Sequence, residues 1–218
     1  YFQSAETSPM NRDVYSVNLD GSNKKRLTKK EGTNRADFSN SFAYFINYHT
    51  TANTPNYVSL HNSAGNTIRV LKDNQKLNQT LVEYEIGAKT FFKITTSKNV
   101  ELNAWMIKPP NFDEGKKYPV FLTIYGGPGS QTVTNSWGSS NYFWHQMLAQ
   151  KGYIVISVDN RGTGARGVDF KKVTYKQLGK YETEDQIEAA KYFATLPYVD
   201  ASRIGVQGWS YGGYMSSL

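Results

Sequence analysis

Cysteine is absent from the 218 residues. Its absence excludes disulfides, thiol catalysis and cysteine-ligated zinc or iron–sulfur clusters, and leaves the redox compartment open. No run of about 18 apolar residues exists either, so no membrane-spanning helix is expected. The first residues have neither a basic start nor an apolar stretch, so no signal peptide is expected in this segment. Histidine is scarce: His49, His61 and His145 are the three present. The net charge of +7 is spread along the chain. Its densest run, residues 24–30, lies beside a hairpin turn signal and reads as a strand edge guarded by lysine. A nucleic-acid partner would want a larger one-sided basic cluster and is not expected. No metal-ligand cluster is visible, and neither metal nor cofactor is expected.

What is present suffices for a core. The chain is 39% hydrophobic and 14% aromatic, which argues against wholesale disorder. The first eighty residues read as β. Residues 13–19 form a strand candidate, Asp20-Gly21 a hairpin turn, and 24–28 a return strand. Residues 41–48 are rich in aromatic and β-branched side chains; 57–60 lead through Ala64-Gly65 to 67–71. A repeat lies inside this pattern. Tyr15, Gly21 and Arg26 recur as Tyr57, Gly65 and Arg69, at offsets of 42, 44 and 43. A period of about 40–45 residues with four short strands is that of a β-propeller blade.

After the polar stretch 73–79 the character changes. Residues 90–95 and 101–108 flank Ser97-Lys98-Asn99 as a hairpin, ended by Pro109-Pro110. The apolar run 120–125 suits a buried strand, as does 153–158. Residues 141–150 have helical spacing, with Phe143/Met147 and Trp144/Leu148 as i, i+4 pairs and Gly152 as a stop. A second helix spans 182–196. Glu182, Glu184 and Asp185 fall in its first turn, where the dipole favours anions, and Ile187, Ala189, Ala190, Tyr192, Phe193 and Ala194 are the expected packing face. Residues 203–207 form a third short strand. Such alternation predicts a mostly parallel sheet covered by helices.

Gly208-Trp209-Ser210-Tyr211-Gly212 is a G-x-S-x-G sequence between that strand and residues 213–218, which can begin a helix. A serine on a strained strand-to-helix turn needs nearly side-chain-free neighbours two residues away, and the turn pushes its hydroxyl clear of the sheet. In an α/β-hydrolase a second oxyanion donor comes from the loop after the third strand. With the hairpin as strands one and two, 120–125 is the third, and Tyr125-Gly126-Gly127-Pro128-Gly129-Ser130-Gln131 stands at that position.

Together with Lys117-Tyr118-Pro119, Asp159-Asn160-Arg161-Gly162-Thr163-Gly164, Glu184-Asp185-Gln186-Ile187-Glu188-Ala189 and Gly208-Trp209-Ser210-Tyr211-Gly212-Gly213-Tyr214, this segment resembles the prolyl oligopeptidase family of serine peptidases, and within it the dipeptidyl peptidase IV branch of bacterial type. The resemblance covers roughly residues 83–218. It implies an α/β fold: residues 83–218 as the N-terminal part of an α/β-hydrolase catalytic domain, and 1–82 as the C-terminal part of a β-propeller, its last blade or blades. It implies Ser210 as nucleophile, with the Tyr125 hydroxyl and the Tyr211 backbone N–H as the oxyanion hole. It also implies that Tyr211 and Tyr125 line the pocket for a small residue, usually proline or alanine, with Trp209 supporting. The implied activity is release of N-terminal dipeptides with proline or alanine second. Another serine hydrolase of the fold (an oligopeptidase, an acylaminoacyl peptidase or an esterase) and a non-catalytic binding relic are the alternatives. Peptide substrates, a homodimer and an extracytoplasmic location, periplasmic or cell-surface, follow from the resemblance alone.

The triad is the discord. In this fold the acid and the histidine follow the serine, yet neither an acid nor a histidine lies among the eight residues after Ser210. His145 is expected on a helix face and His49 and His61 in strands or turns. Asp159, ending the fourth strand, is too early for the triad acid and is expected to anchor its loop through Arg161. The triad Asp and His are thus absent from this chain, which is expected to be an internal fragment of a longer enzyme and inactive alone.

Overall fold

A computed structural model describes residues 1–138 and 141–218. The chain forms two units, Tyr1–Glu85 with Thr134–Gly138, and Ile86–Val133 with Ser139–Leu218.

The first unit holds two antiparallel sheets. One is β1 (Phe2–Ser4), β2 (Asp13–Ser16) and β3 (Lys25–Arg26), in that order. The other is β4 (Thr33–Phe38), β5 (Tyr44–Thr51), β6 (Thr54–Asn62) and β7 (Thr67–Lys72), again in chain order. The repeat has a structural counterpart at a constant offset. The β2–β3 turn is closed by Asn18 N–H to Ser22 O (3.0 Å) and Gly21 N–H to Asn18 O (2.9 Å); the β6–β7 turn repeats both bonds at Asn62, Asn66 and Gly65 with the same lengths. Gly21 (φ 84°) and Gly65 (φ 87°) supply the left-handed residue each turn requires. At Gly65 a Cβ would also stand 2.5 Å from the Leu27 carbonyl oxygen, so the turn lies hard against the neighbouring sheet.

Val14, Leu27 and Phe45 make the small apolar core of this unit. Beside it runs a polar seam. Buried Asp13 accepts from Arg26 (2.9 Å), and Asn34 donates to the Arg12 and Lys30 carbonyls (3.1 Å each) and accepts from Asn47 (3.1 Å). Segment Thr134–Gly138, assigned from sequence to the second part, belongs here. Asn135 donates to the carbonyl of Met10 and accepts from Ala52 and Thr33. Among the elements that escaped the sequence reading are β4, whose TNRADF carries no apolar alternation, and α1 (Gln75–Val82), read as a polar stretch.

The second unit is a five-stranded sheet built from β8 (Lys89–Thr95), β9 (Glu101–Ile107), β10 (Tyr118–Ile124), β11 (Ile154–Asp159) and β12 (Val199–Gly208). Their spatial order is β8-β9-β11-β10-β12. β10 is parallel to both β11 and β12, and β9 runs antiparallel to β8 and β11, so only β9 opposes the rest. Every residue of β11 is buried, the polar Ser157 and Asp159 included, as befits a strand in the middle of such a sheet. β10 instead alternates buried and half-buried positions. The connections are α2 (Tyr142–Gln150), α3 (Val168–Lys172) and α4 (Lys180–Ala194), with α5 (Tyr211–Ser217) after β12.

α4 differs from expectation in the face it buries. Ala189 and Phe193 are buried, but Ile187 is 49% and Tyr192 38% exposed. The inward face continues instead through Glu182, Asp185 and Gln186, at i, i+3 and i+4, all buried. Their partners lie in the loops of the site.

Candidate active site

β12 ends at Gly208, paired in register with Ile124 of β10, so the two strands deliver their following residues side by side. Ser210 then takes φ 57°, ψ −121°, a backbone state that costs a non-glycine residue about 1–3 kcal/mol. Two glycines make the turn possible. A Cβ on Gly208 would run into the Gly212 carbonyl, and one on Gly212 into the Ile124 carbonyl. Gly212 N–H to Trp209 O (2.9 Å) and Tyr214 N–H to Ser210 O (3.1 Å) close the turn into α5. Ser210 is exposed, and among the described residues its hydroxyl has no hydrogen-bond partner.

Tyr125 follows the last residue of β10, and its ring lies 6.2 Å from that of Tyr211 at 45°. The reason for the adjoining glycines emerges here. A Cβ on Gly127 would come within 2.7 Å of the Tyr125 ring and 3.3 Å of the Tyr211 ring. Gly127 therefore makes room for the two rings to converge. Gly126 (φ 71°) lies so close to Asn160 that a Cβ would stand 2.6 Å from its Oδ1. The loop is tied down along its length: Asn160 Nδ2 donates to the Gly126 carbonyl (3.1 Å), Gly129 N–H to Gly162 O (2.8 Å), and Gly164 N–H to Ser130 O (2.9 Å).

Asp159 anchors a loop, though not through Arg161. It accepts from the Thr132 N–H (2.8 Å), the Thr132 hydroxyl (2.9 Å) and the Val133 N–H (3.2 Å). Burial pushes its carboxyl up, against the pull of those bonds. Arg161 turns the other way. Its guanidinium meets Asp185 (2.7 Å) and Glu184 (3.3 Å), while its backbone N–H donates to Asp185 (2.7 Å).

Tyr211 is half-buried, and its hydroxyl is occupied: it donates to Glu182 Oε1 at 2.8 Å. Burial first, then Glu182, pushes this phenol far above its ordinary range. Glu182 Oε2 accepts the Gly179 N–H (3.1 Å). Trp209, expected to support the pocket, is 85% exposed. None of the three histidines is bonded to Ser210. His145 is buried against Trp105, with ring centroids 5.5 Å apart. His49 contacts the Glu31 carbonyl through Nε2, and His61 contacts Ser59 Oγ and Gly65 O. Among the described residues no three His, Asp or Glu side chains gather as a metal site.

Sequence reasoning thus named Ser210, Tyr125 and Tyr211, and missed Glu182, Asn160 and Gln186 around them. The signal for the last was available in part: 182, 185, 186, 189 and 193 share one helical stripe with the buried Ala189 and Phe193.

The strand order, the serine turn and the tyrosine pair set a frame for comparison. Residues 139–218 match the prolyl oligopeptidase family, and residues 1–56 match the dipeptidyl peptidase IV (DPP IV) N-terminal region. The crystal structure of Porphyromonas gingivalis dipeptidyl peptidase 4 is similar over 99% of this chain and 30% of its own, with a TM-score of 0.93 and 47% identity. The chain belongs to the prolyl oligopeptidase family. Within that family it is of the dipeptidyl peptidase IV type, with an α/β-hydrolase sheet preceded by propeller blades. A putative dipeptidyl aminopeptidase IV from Bacteroides ovatus shares 33% identity and a TM-score of 0.80 over 92% of this chain and 29% of its own. A probable dipeptidyl-aminopeptidase B of Trichophyton verrucosum is 40% identical over 99% of this chain. The chain spans about a quarter of that relative's length, 24%.

Proposed function

We propose that this chain carries the nucleophile side of a serine exopeptidase that releases N-terminal dipeptides with proline or alanine at the second position. The observation that carries the reading is Ser210 itself: an exposed, unpartnered hydroxyl on a left-handed backbone between two glycines that admit no side chain. Ser210 Oγ attacks the carbonyl carbon of the second substrate residue, and its proton passes to a general base. The carbonyl oxygen becomes the oxyanion, met by the Tyr211 N–H and the Tyr125 hydroxyl. The amine leaves protonated, and water then hydrolyses the acyl-serine. Each oxyanion donor is worth about 2.7–4 kcal/mol of transition-state stabilisation. The converging rings of Tyr125 and Tyr211 suit a small, apolar residue beside the scissile bond. No imidazole within the described residues is bonded to Ser210, so residues 1–218 alone are proposed inactive and the full-length protein active.

The test is labelling of the full-length protein with a diphenyl phosphonate probe, together with a panel of Xaa-Pro substrates bearing free and blocked amino termini. Labelling at Ser210, lost in Ser210→Ala, with cleavage only of free termini, supports the reading. Cleavage of blocked substrates would make it an oligopeptidase or acylaminoacyl peptidase, and absence of labelling would end the enzymatic reading.

A further inference from the structure

Glu182 is an expensive residue to bury, and it is fully buried in the first turn of α4. A carboxylate removed from water demands partners for both oxygens. One partner is local: the Gly179 N–H, which caps the helix start. The other is 29 positions away, the Tyr211 hydroxyl, on the residue directly after Ser210. Helix capping explains the first bond and leaves the second unexplained.

The surroundings hold the pair in one geometry. Gly179 has φ 86°, and a Cβ there would meet the Tyr214 hydroxyl at 2.5 Å, so the floor beneath Glu182 admits no side chain. The Tyr214 ring packs edge-on against Tyr211 at 5.5 Å. The Tyr125 ring and the bare Gly127 stand on another side. Tyr211 is thus fixed at its hydroxyl by Glu182 and at its ring by two tyrosines.

We propose that Glu182 is a positioning and specificity-determining residue of the Ser210 site, acting through Tyr211. With its hydroxyl tied back to a buried carboxylate, Tyr211 offers substrate a bare ring and no free polar group. That favours a compact apolar side chain such as proline over longer or polar ones, and it fixes the Tyr211 N–H where the oxyanion forms. The proposal rests on the peptidase reading above.

Its test uses the full-length protein and the variants Glu182→Ala, Glu182→Gln, Tyr211→Phe and Glu182→Ala/Tyr211→Phe. kcat and KM are measured on Ala-Pro and Ala-Ala p-nitroanilides, and phosphonate labelling of Ser210 is run in parallel. Glu182→Ala and Tyr211→Phe should each lower kcat/KM for Ala-Pro about tenfold, the effect of losing one hydrogen bond to a charged group. Both should also raise KM and shrink the preference for Ala-Pro over Ala-Ala, and the double variant should be no worse than the more damaging single one. Glu182→Gln, which can still accept from Tyr211 but sets an amide N–H₂ against the Gly179 N–H, should fall between. If Glu182→Ala does not fold, Tyr211→Phe breaks the same bond from its other end and decides the matter with Glu182→Gln. Additive losses, or variants whose substrate preference and KM match the wild type, overturn the proposal. A wild type that does not label at Ser210 overturns the peptidase reading and this proposal with it, whereas a labelled wild type with unaltered variants overturns this proposal alone.

Discussion

Gln186 donates through Nε2 to Asn160 Oδ1 at 3.0 Å, and by that bond a helix on the sheet's flank reaches the loop after β11. Asn160 passes the contact on, donating to the Gly126 carbonyl at 3.1 Å. Gln186 Nε2 also donates to the Val158 carbonyl at 3.0 Å. Gln186→Leu leaves two buried acceptors without their donor. It should cost about 1–3 kcal/mol of stability in urea unfolding. In the full-length protein it should also lower kcat on a dipeptide substrate, since the loop before Gly127 loses its tether. Wild-type stability and kcat in this variant would refute the tether.

Strain at Ser210 gives a separable prediction. Ser210→Gly should raise the unfolding free energy by about 1 kcal/mol, because relief of the left-handed backbone exceeds the entropy glycine adds to the unfolded chain. Ser210→Ala removes the same hydroxyl but keeps the Cβ, and should change stability by less than about 0.5 kcal/mol. Equal stabilities for the two would mean that the backbone is unstrained.

The turn's glycines should not be interchangeable with other glycines of the same strand. Gly212→Ala places a methyl group against the Ile124 carbonyl and should destabilise by about 3 kcal/mol or more. Gly205, in the middle of β12, has nothing within 4 Å of its Cβ position. Gly205→Ala should be neutral or stabilise by about 0.5 kcal/mol. Thermal melts of the two variants side by side make the comparison.

Acid sensitivity should centre on His145. Burial, then the charge of Lys89, pushes this imidazole down to about 4. The unfolded chain takes up the proton near pH 6.5 and the folded chain only near 4, so stability should fall as pH drops through that window. Lys89, whose ammonium lies over the Trp105 ring, is pushed down to about 8 by burial and acts with the same sign between about 10.5 and 8. His145→Gln should flatten the acid limb of a urea-midpoint against pH curve and leave the alkaline limb in place. An unchanged acid limb would move the cause to the carboxylates.

The sheet was legible because its signals are local. Residues 153–158 are apolar but for Ser157, and G-x-S-x-G sits between a short strand and a helix start, so strand sequence and serine turn could be read within windows of ten residues. The buried polar contacts were not, because their partners are distant. Glu182 reads as a solvated first-turn acid until Tyr211, 29 positions on, is folded against it. Asp159 and Arg161 mislead by proximity. Two residues apart at a strand end, they face different neighbours, Thr132 for one and Asp185 for the other. In the first unit β4 was missed for a related reason. Its inward Asn34 is polar, satisfied by Lys30 and Asn47, so no apolar alternation marks the strand.

The buried row on α4 has a mechanical consequence. Glu182 grips the serine turn through Tyr211, Asp185 grips the loop after β11 through Arg161, and Gln186 grips the Tyr125 loop through Asn160. Three segments distant in sequence therefore share a single degree of freedom, the roll of one helix about its axis. Sliding the row by one residue would swing it by about 100° and release all three together. An insertion or deletion inside α4 ahead of Asp185 would thus disassemble the site without touching any residue that faces substrate.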